Sequence, residues 1–234
     1  QAGMIYRPVR ERSMERLLEL AEKLVRATGY DEISLMSLSS GDYSCLPELA
    51  REMVQRFSAK RVKISLPSQR IDNVLTDTLR ETQKVRKTAL TLAPEAGTQR
   101  LRDVINKGVT EEDLVRSVTD AFEQGWSAVK LYFMIGLPTE TDEDVLGIAD
   151  LAHKVLKVWQ ENTPNPKRPV TITISTSFFV PTNGTPFQWE AQIPPEDYLR
   201  RCALLNNRPK GRSFRYPHHA SELSMLEAAP TRAA

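Results

Sequence analysis

Two carboxylates stand beside glycines at points where runs of apolar residues end. Asp42 closes a Ser-Ser-Gly-Asp stretch, and Glu95 lies in a Pro-Glu-Ala-Gly stretch. A carboxylate accepts hydrogen bonds from an ammonium group and can serve in acid–base chemistry, while glycine lets the backbone approach a ligand closely. Because turn formation alone accounts for glycine and proline, these carboxylates are the residues that point to a functional site.

A third stretch of this kind follows the apolar run at residues 130–135. Gly136 and Pro138 end the run, and Thr141 is placed to cap the helix that follows. A nearly continuous apolar run is typical of a strand buried on both faces of a parallel sheet. A buried strand, a glycine turn and a capped helix together predict the edge at which α/β folds bind their ligands.

Other signatures of catalysis are absent from the sequence. It has no G-x-S-x-G, P-loop or G-x-G-x-x-G motif. Its two cysteines, Cys45 and Cys202, are too few for an iron–sulfur cluster, which usually needs three or four thiolates. The histidines have no ligand spacing with either cysteine, so we expect no metal site made wholly within this chain. Two distant cysteines also favour a reducing cytoplasm as the location.

The composition is that of an ordinary globular protein. The chain has 234 residues, of which 40% are hydrophobic and 26% charged, enough for one substantial core. A net charge of +2 gives little reason to expect a nucleic-acid or membrane partner. We interpret the basic residues near the C-terminus as a solubilising segment, with RNA contact as the weaker alternative. They are Arg200, Arg201, Arg208, Lys210, Arg212 and Arg215.

Strand-like and helix-like stretches alternate along the chain. The predicted strands cover about residues 32–38, 61–66, 88–93, 127–135 and 170–179. The predicted helices cover about residues 14–28, 46–57, 69–84, 98–105, 110–124, 141–160 and 195–205. Ser13 is placed to cap the first of them, and Thr110 with Asp113 resembles a capping box at the start of the fifth. This spacing is typical of βα units with parallel strands, wound into a barrel or an open sheet. Residues 206–234 are basic and broken by proline, and we expect them to pack poorly.

Four stretches of the sequence are similar to those of one family: residues 1–10, 37–43, 92–98 and 130–144. Through them the chain resembles the core domain of radical S-adenosylmethionine (radical SAM) enzymes, over residues 1 to about 226. More narrowly, it resembles the bacterial subgroup with an upstream cobalamin-binding-type domain. The resemblance implies an α/β fold, a partial TIM-type (β/α)6 barrel of parallel strands that lacks its first strand. Residues 1–205 would form this barrel with strands 2–6, and residues 206–234 would form a tail.

The resemblance also implies cofactors and partners. Family members hold a [4Fe–4S] cluster on a CxxxCxxC loop after the first strand, bind SAM at the open iron, and cleave it reductively to abstract hydrogen from a substrate. Gln1 would directly follow the last cluster cysteine, so we expect this chain to be a fragment that is inactive alone, with the ligands upstream. An electron donor such as flavodoxin or ferredoxin is implied, and cobalamin is a candidate for the upstream domain.

The site residues implied by the resemblance fall into three groups. Near the methionine amino group of SAM lie Ser39, Ser40, Gly41 and Asp42. Near the ribose and the methionine carboxylate lie Ser65, Glu95 and Arg100, with a surface salt bridge as the equal alternative for Arg100. A backbone shelf for adenine comprises Met134, Ile135 and Gly136.

The shelf corresponds to a fifth-strand motif of the family, GxIxGxxxE. Gly136 and Glu140 match it, while Tyr132 and Met134 replace its first glycine and its isoleucine. Two other functions remain open. One is a barrel that binds a nucleotide or a partner without catalysis. The other is an unrelated TIM-type enzyme with Asp42 and Glu95 as acid and base.

Overall fold

Parallel strands and helices alternate through the described part of the chain. The computed structural model describes residues 7–37, 40–65, 89–165, 167–208, 211–218 and 220–233. Its strands are β1 (Glu32–Ser34), β2 (Lys63–Ser65), β3 (Leu90–Glu95), β4 (Ala128–Ile135), β5 (Thr171–Phe178) and β6 (Phe214–Arg215). Its helices are α1 (Met14–Thr28), α2 (Leu46–Phe57), α3 (Gln99–Val104), α4 (Glu111–Glu123), α5 (Asp142–Asn162), α6 (Pro195–Asn206) and α7 (Ser221–Ala233). None of these helices is both long and apolar enough to cross a membrane.

The strands form two parallel sheets. β1 pairs with β2, and β3, β4, β5 and β6 pair in that order. This confirms the predicted α/β fold with parallel strands, and it is consistent with a partial TIM-type barrel. The predicted helix between β2 and β3 lies in residues 66–88, outside the described residues.

Helix boundaries follow the capping signals of the sequence. Ser13 caps α1, which ends at Gly29 in the left-handed conformation (φ 70°). Thr110 and Asp113 form a capping box at α4, as predicted, and Thr141 and Asp144 form another at α5. The predicted helix over residues 46–57 coincides with α2.

The main core lies between the four-stranded sheet and helices α4, α5 and α6. On β4, alternate residues (Val129, Leu131, Phe133 and Ile135) are buried in this core. The intervening side chains, which include Lys130, Tyr132 and Met134, are only half-buried and lie on what we call the inner face of the sheet. The interpretation of β4 as buried on both faces was therefore wrong. The alternation was hidden because Tyr132 and Met134 are large and largely apolar.

A second core lies around the two-stranded sheet. α1 contributes Leu18, α2 contributes Met53 and Phe57, and β2 contributes Ile64. A small third cluster lies at the carboxyl ends of β3, β4 and β5. We call it the edge cluster; its buried members are Ala96, Leu101, Leu137 and Phe179, with Ile105, Met134 and Phe187 packed against them.

The described part of the segment after residue 206 differs from the poorly packed tail that we expected. Residues of β6 pair with β5, and Phe214 is 9% exposed within the main core. Its ring makes an edge contact with His153, with the centroids 5.0 Å apart. Helix α7 packs on α6 and buries Ser221 and Ser224. A few apolar anchors in a polar segment leave little periodic signal, because the strand that pairs with β6 lies about forty residues away in the sequence.

Candidate functional site

The carboxyl ends of β3 and β4 carry unusual backbone conformations. Glu95 at the end of β3 has φ 69°, and Thr139 in the turn after β4 has φ 65°. Gly136, directly after β4, has φ 92°. Non-glycine residues in the left-handed region cost about 1 kcal/mol or more each, and such residues cluster at functional sites. Two of them at one edge of the sheet support the sequence-based location of the site.

A buried ion pair closes the turn after β4. The carboxylate of Glu140 accepts a hydrogen bond from the backbone N–H of Gly136 at 2.8 Å, and Arg201 of α6 forms an ion pair with the same oxygen. The Glu140 side chain is 1% exposed and that of Arg201 is 14% exposed. Burial raises the pKa of Glu140, although the Gly136 N–H and Arg201 oppose that rise. The sequence motif identified Glu140. The interpretation of Arg201 as part of a solubilising segment was wrong, because its side chain is buried against Glu140.

Gly136 cannot be replaced without strain. A Cβ atom there would lie 3.0 Å from the side chain of Ile193, and the backbone has a positive φ. Two polar groups of this backbone are also already bonded. The carbonyl of Ile135 accepts the N–H of Phe179 at 2.9 Å, and the N–H of Gly136 is held by Glu140.

Asp144 joins the segment after β3 to the start of α5. Its carboxylate accepts hydrogen bonds from the backbone N–H of Thr141 at 2.9 Å and from the Thr98 hydroxyl. It also forms an ion pair with Arg100, which donates to the carbonyl of Thr139 at 2.9 Å. Burial alone would raise the pKa of Asp144, but the hydrogen bonds from Thr98, Thr141 and Arg100 outweigh it and the pKa is lowered.

These contacts bear on the two interpretations of Arg100. Its side chain is half-exposed, and both terminal nitrogens are bound to Thr139 and Asp144. The salt bridge weighed as its alternative is therefore present in the structure. Arg100 holds the two loops of this edge together.

The loop after β3 touches α5 through backbone atoms. A Cβ atom on Gly97 would lie 2.3 Å from the carbonyl oxygen of Asp144 and 2.4 Å from the nitrogen of Ile148. A Cβ atom on Gly147 would lie 3.1 Å from the backbone of Gly97. Two glycines are needed here because the backbones of the two elements are in contact.

Glu95 forms an ion pair at the end of β3. Its carboxylate lies 3.2 Å from the Nζ atom of Lys107, and both side chains are partly buried.

Arg102 is 2% exposed and donates to the carbonyl of Ala96 and to Gln99, each at 3.0 Å. Burial lowers the pKa of Arg102. Sequence reasoning missed Arg102, because an arginine in a short helix next to a surface turn normally indicates an exposed position.

The remaining predicted residues lie at the edge of the two-stranded sheet. Ser40 and Gly41 are buried in a 3₁₀ turn after β1, and the Ser40 hydroxyl donates to the carbonyl of Leu35 at 2.9 Å. Asp42 in the same turn is exposed, and Ser65 ends β2. Ser39 lies outside the described residues.

The predicted acid–base pair is thus divided between two sheets. Asp42 follows β1, whereas Glu95 ends β3 and is ion-paired with Lys107. The structure brings Glu95, Arg100 and Gly136 together at the edge of the four-stranded sheet, through the loops that follow β3 and β4.

The residues present do not form a site for an iron–sulfur cluster. Cys45 is exposed, whereas Cys202 is buried and its pKa is raised by burial. Within the described ranges, no three His, Cys, Asp or Glu side chains are grouped so that they could hold a metal ion. A cluster of the kind implied by the resemblance therefore needs ligands from outside these residues.

Three known proteins or families are similar to this chain. The Radical SAM superfamily matches residues 2–152. A Methanocaldococcus jannaschii protein named "Uncharacterized protein MJ0966" is 35% identical over 189 residues, which cover 81% of this chain and 39% of that protein. The structure of archaeal Methanocaldococcus infernus Elp3 with an N-terminal deletion (1–46) matches with a TM-score of 0.55 and 13% identity.

The share of each chain that is covered decides what each match shows. The Elp3 match covers 94% of this chain and 62% of that chain, and at this identity it shows the fold alone. The chain corresponds to only part of either protein. The superfamily match covers more than half of the chain and includes both β3 and β4 with their edge. The chain belongs to the radical SAM superfamily.

Proposed function

We propose that this chain forms most of a radical SAM core and binds S-adenosylmethionine at the carboxyl edge of its strands. The whole protein would cleave SAM reductively and abstract hydrogen from a substrate. The observation that carries the proposal is the turn after β4, where Glu140 and Gly136 of the motif GxIxGxxxE are bonded to each other. When bound and reduced, SAM supplies the 5′-deoxyadenosyl radical; the chain's own residues bind and orient it.

We expect adenine to rest on apolar side chains rather than on hydrogen bonds to the shelf. The carbonyl of Ile135 and the N–H of Gly136 are already bonded within the chain. Met134 is half-buried beside the edge cluster, which also includes Phe187. A flexible thioether and an aromatic ring suit an adenine face, because both offer polarisable apolar surface.

The other end of SAM would lie near the turn after β1. Asp42 is an exposed carboxylate that can accept hydrogen bonds from an ammonium group. Ser40 and Gly41 are buried beside it and would shape the turn. Arg100 is bound to Asp144 and Thr139, so we assign it to positioning the edge.

The [4Fe–4S] ligands are proposed to come from three cysteines that precede Gln1 in the full-length protein, since the sequence itself contains two. An upstream cobalamin-binding-type domain, an electron donor such as flavodoxin or ferredoxin, and a cytoplasmic location remain predictions. The gene sequence before Gln1 tests the ligand proposal directly. A coding sequence without CxxxCxxC in that position would rule it out.

The binding proposal can be tested on the full-length protein reconstituted with iron and sulfide without oxygen. Calorimetric titration with SAM, followed by reduction with dithionite, should give binding and then 5′-deoxyadenosine. Absence of SAM binding would overturn the proposal. Binding without 5′-deoxyadenosine would instead favour the alternative function, a nucleotide-binding barrel without catalysis, which the two-cysteine sequence also supports.

A further inference from the structure

A row of polar side chains crosses the inner face of the four-stranded sheet. In the strand register, Thr91 pairs with Lys130, Lys130 with Thr173, and Thr173 with Arg215. Paired residues of parallel strands point to the same face. Four neighbouring strands therefore place two cations and two hydroxyl groups on one face, which we call the cationic row.

Within the described residues, neither cation of this row has an anionic partner. No carboxylate of the described residues forms an ion pair with Lys130 or Arg215. By contrast, Glu95 at the end of β3 is paired with Lys107. The row therefore carries uncompensated positive charge on a surface that is half-buried at Lys130 and exposed at Arg215.

The ammonium group of Lys130 is already held in one direction. Its Nζ atom lies 4.6 Å from the centre of the Tyr132 ring, the next residue on the same face. This cation–π contact turns the lysine towards the carboxyl edge of the sheet. Orientation before binding lowers the entropy cost of fixing a long side chain on a ligand.

We propose that the cationic row binds the phosphate group of a small-molecule substrate. A phosphate has several acceptor oxygens and a charge near −2, which match Lys130, Arg215 and the Thr173 hydroxyl that lies between them in the register. An RNA backbone is less favoured as the ligand of this row. Thr91, Lys130 and Thr173 are only partly exposed, so the row is not an open surface.

The distance from the cationic row to the proposed adenine shelf predicts the length of the substrate. This prediction rests on the proposed function. Lys130 lies four residues before Met134, which at about 3.3 Å per residue is about 13 Å along the strand. Tyr132 turns the ammonium group towards Met134 and shortens this separation. The substrate would carry its phosphate about 7–13 Å from the carbon that reacts beside the adenine shelf.

Titration of the full-length protein with inorganic phosphate and with pyrophosphate, in the absence of SAM, tests the row by itself. Binding should weaken about tenfold or more in Lys130→Gln and in Arg215→Gln, because each change removes a charge-assisted contact. Matched controls are Lys157→Gln on the outer helix α5 and Arg212→Gln in the segment before β6. Both controls should bind as the wild type does.

Any of four results would overturn the proposal. Two concern the wild type: it binds neither phosphate nor pyrophosphate, or it binds only an RNA oligonucleotide. Two concern the variants: Lys130→Gln binds phosphate as the wild type does, or Arg212→Gln weakens binding as much as Lys130→Gln does. Arg215 is exposed, so its variant is expected to fold even if Lys130→Gln does not. Because SAM is left out, a failure here is distinct from a failure to bind SAM.

Discussion

Glu140 holds the turn after β4 closed by accepting the backbone N–H of Gly136 at 2.8 Å. The same carboxylate is buried against Arg201, a residue of α6 that lies 61 positions later in the sequence. The conformation of the proposed adenine shelf therefore depends on a helix that does not itself belong to the shelf. A buried charge is tolerated only while a partner compensates the cost of removing that charge from water.

Adjacent arginines on α6 provide a matched test of this dependence. Arg201→Met removes the partner of buried Glu140 and should lower the free energy of unfolding by about 3–5 kcal/mol. Arg200→Met breaks an exposed pair with Asp142 and should leave it nearly unchanged. Urea unfolding of the two variants measures the difference. Equal destabilisation by both changes would contradict the assigned role of Arg201.

The pH dependence of stability should contain two opposite contributions. The pKa of Asp144 is lowered in the folded state, so its contribution is present above about pH 4 and is lost as the pH falls below that value. The pKa of Glu140 is raised, so its ionisation destabilises the fold as the pH rises from about 4.5 towards the folded pKa.

The free energy of unfolding, measured at pH values from about 2 to about 7, separates the two contributions. Asp144→Asn should flatten the loss of stability on the acid side. Glu140→Gln should remove the opposing slope above about pH 4.5. A wild-type profile that neither variant alters would show that both assignments are wrong.

Gly97→Ala should destabilise the protein by about 1–3 kcal/mol or prevent folding, because the added methyl group meets backbone atoms of α5. Gly108→Ala is the matched control. A Cβ atom there meets nothing within 4 Å, and this change should be neutral or stabilise by less than about 1 kcal/mol. Thermal unfolding of both variants checks the expectation. A stable Gly97→Ala variant would refute the backbone contact.

Met134→Gln should weaken SAM binding about fivefold and leave the melting temperature nearly unchanged, since it removes an apolar contact worth about 1 kcal/mol from a half-buried position. Met36→Gln, at an exposed methionine, is the control and should bind SAM as the wild type does. Calorimetry on the reconstituted full-length protein provides the affinities. Unchanged SAM affinity in the Met134→Gln variant would show that adenine does not bind beside Met134.

Local features of the structure could be predicted from the sequence. Ser13, Thr110 and Thr141 cap the helices for which their side chains and spacing predicted them. Capping depends on residues within one turn, so its signal is complete in a short stretch. The edge at Glu95 and Gly136 could be located for the same reason, because strand ends and turns are local.

Features that depend on distant pairs could not be predicted. The Arg201–Glu140 pair and the β5–β6 pairing join residues about forty to sixty positions apart, and neither leaves a periodic pattern. Arg102 is buried by the way in which α3 folds back on the loop after β3, which its own sequence neighbours do not reveal. The inner face of β4 was misread because tyrosine and methionine resemble core residues until their neighbours are known.

The contact between Gly97 and Gly147 has a mechanical consequence. Since backbone meets backbone, no side chain can rotate to let the loop after β3 separate from α5. The ion pair between Asp144 and Arg100 joins the same region of the chain to α5. This side of the edge is therefore a rigid part of the proposed site.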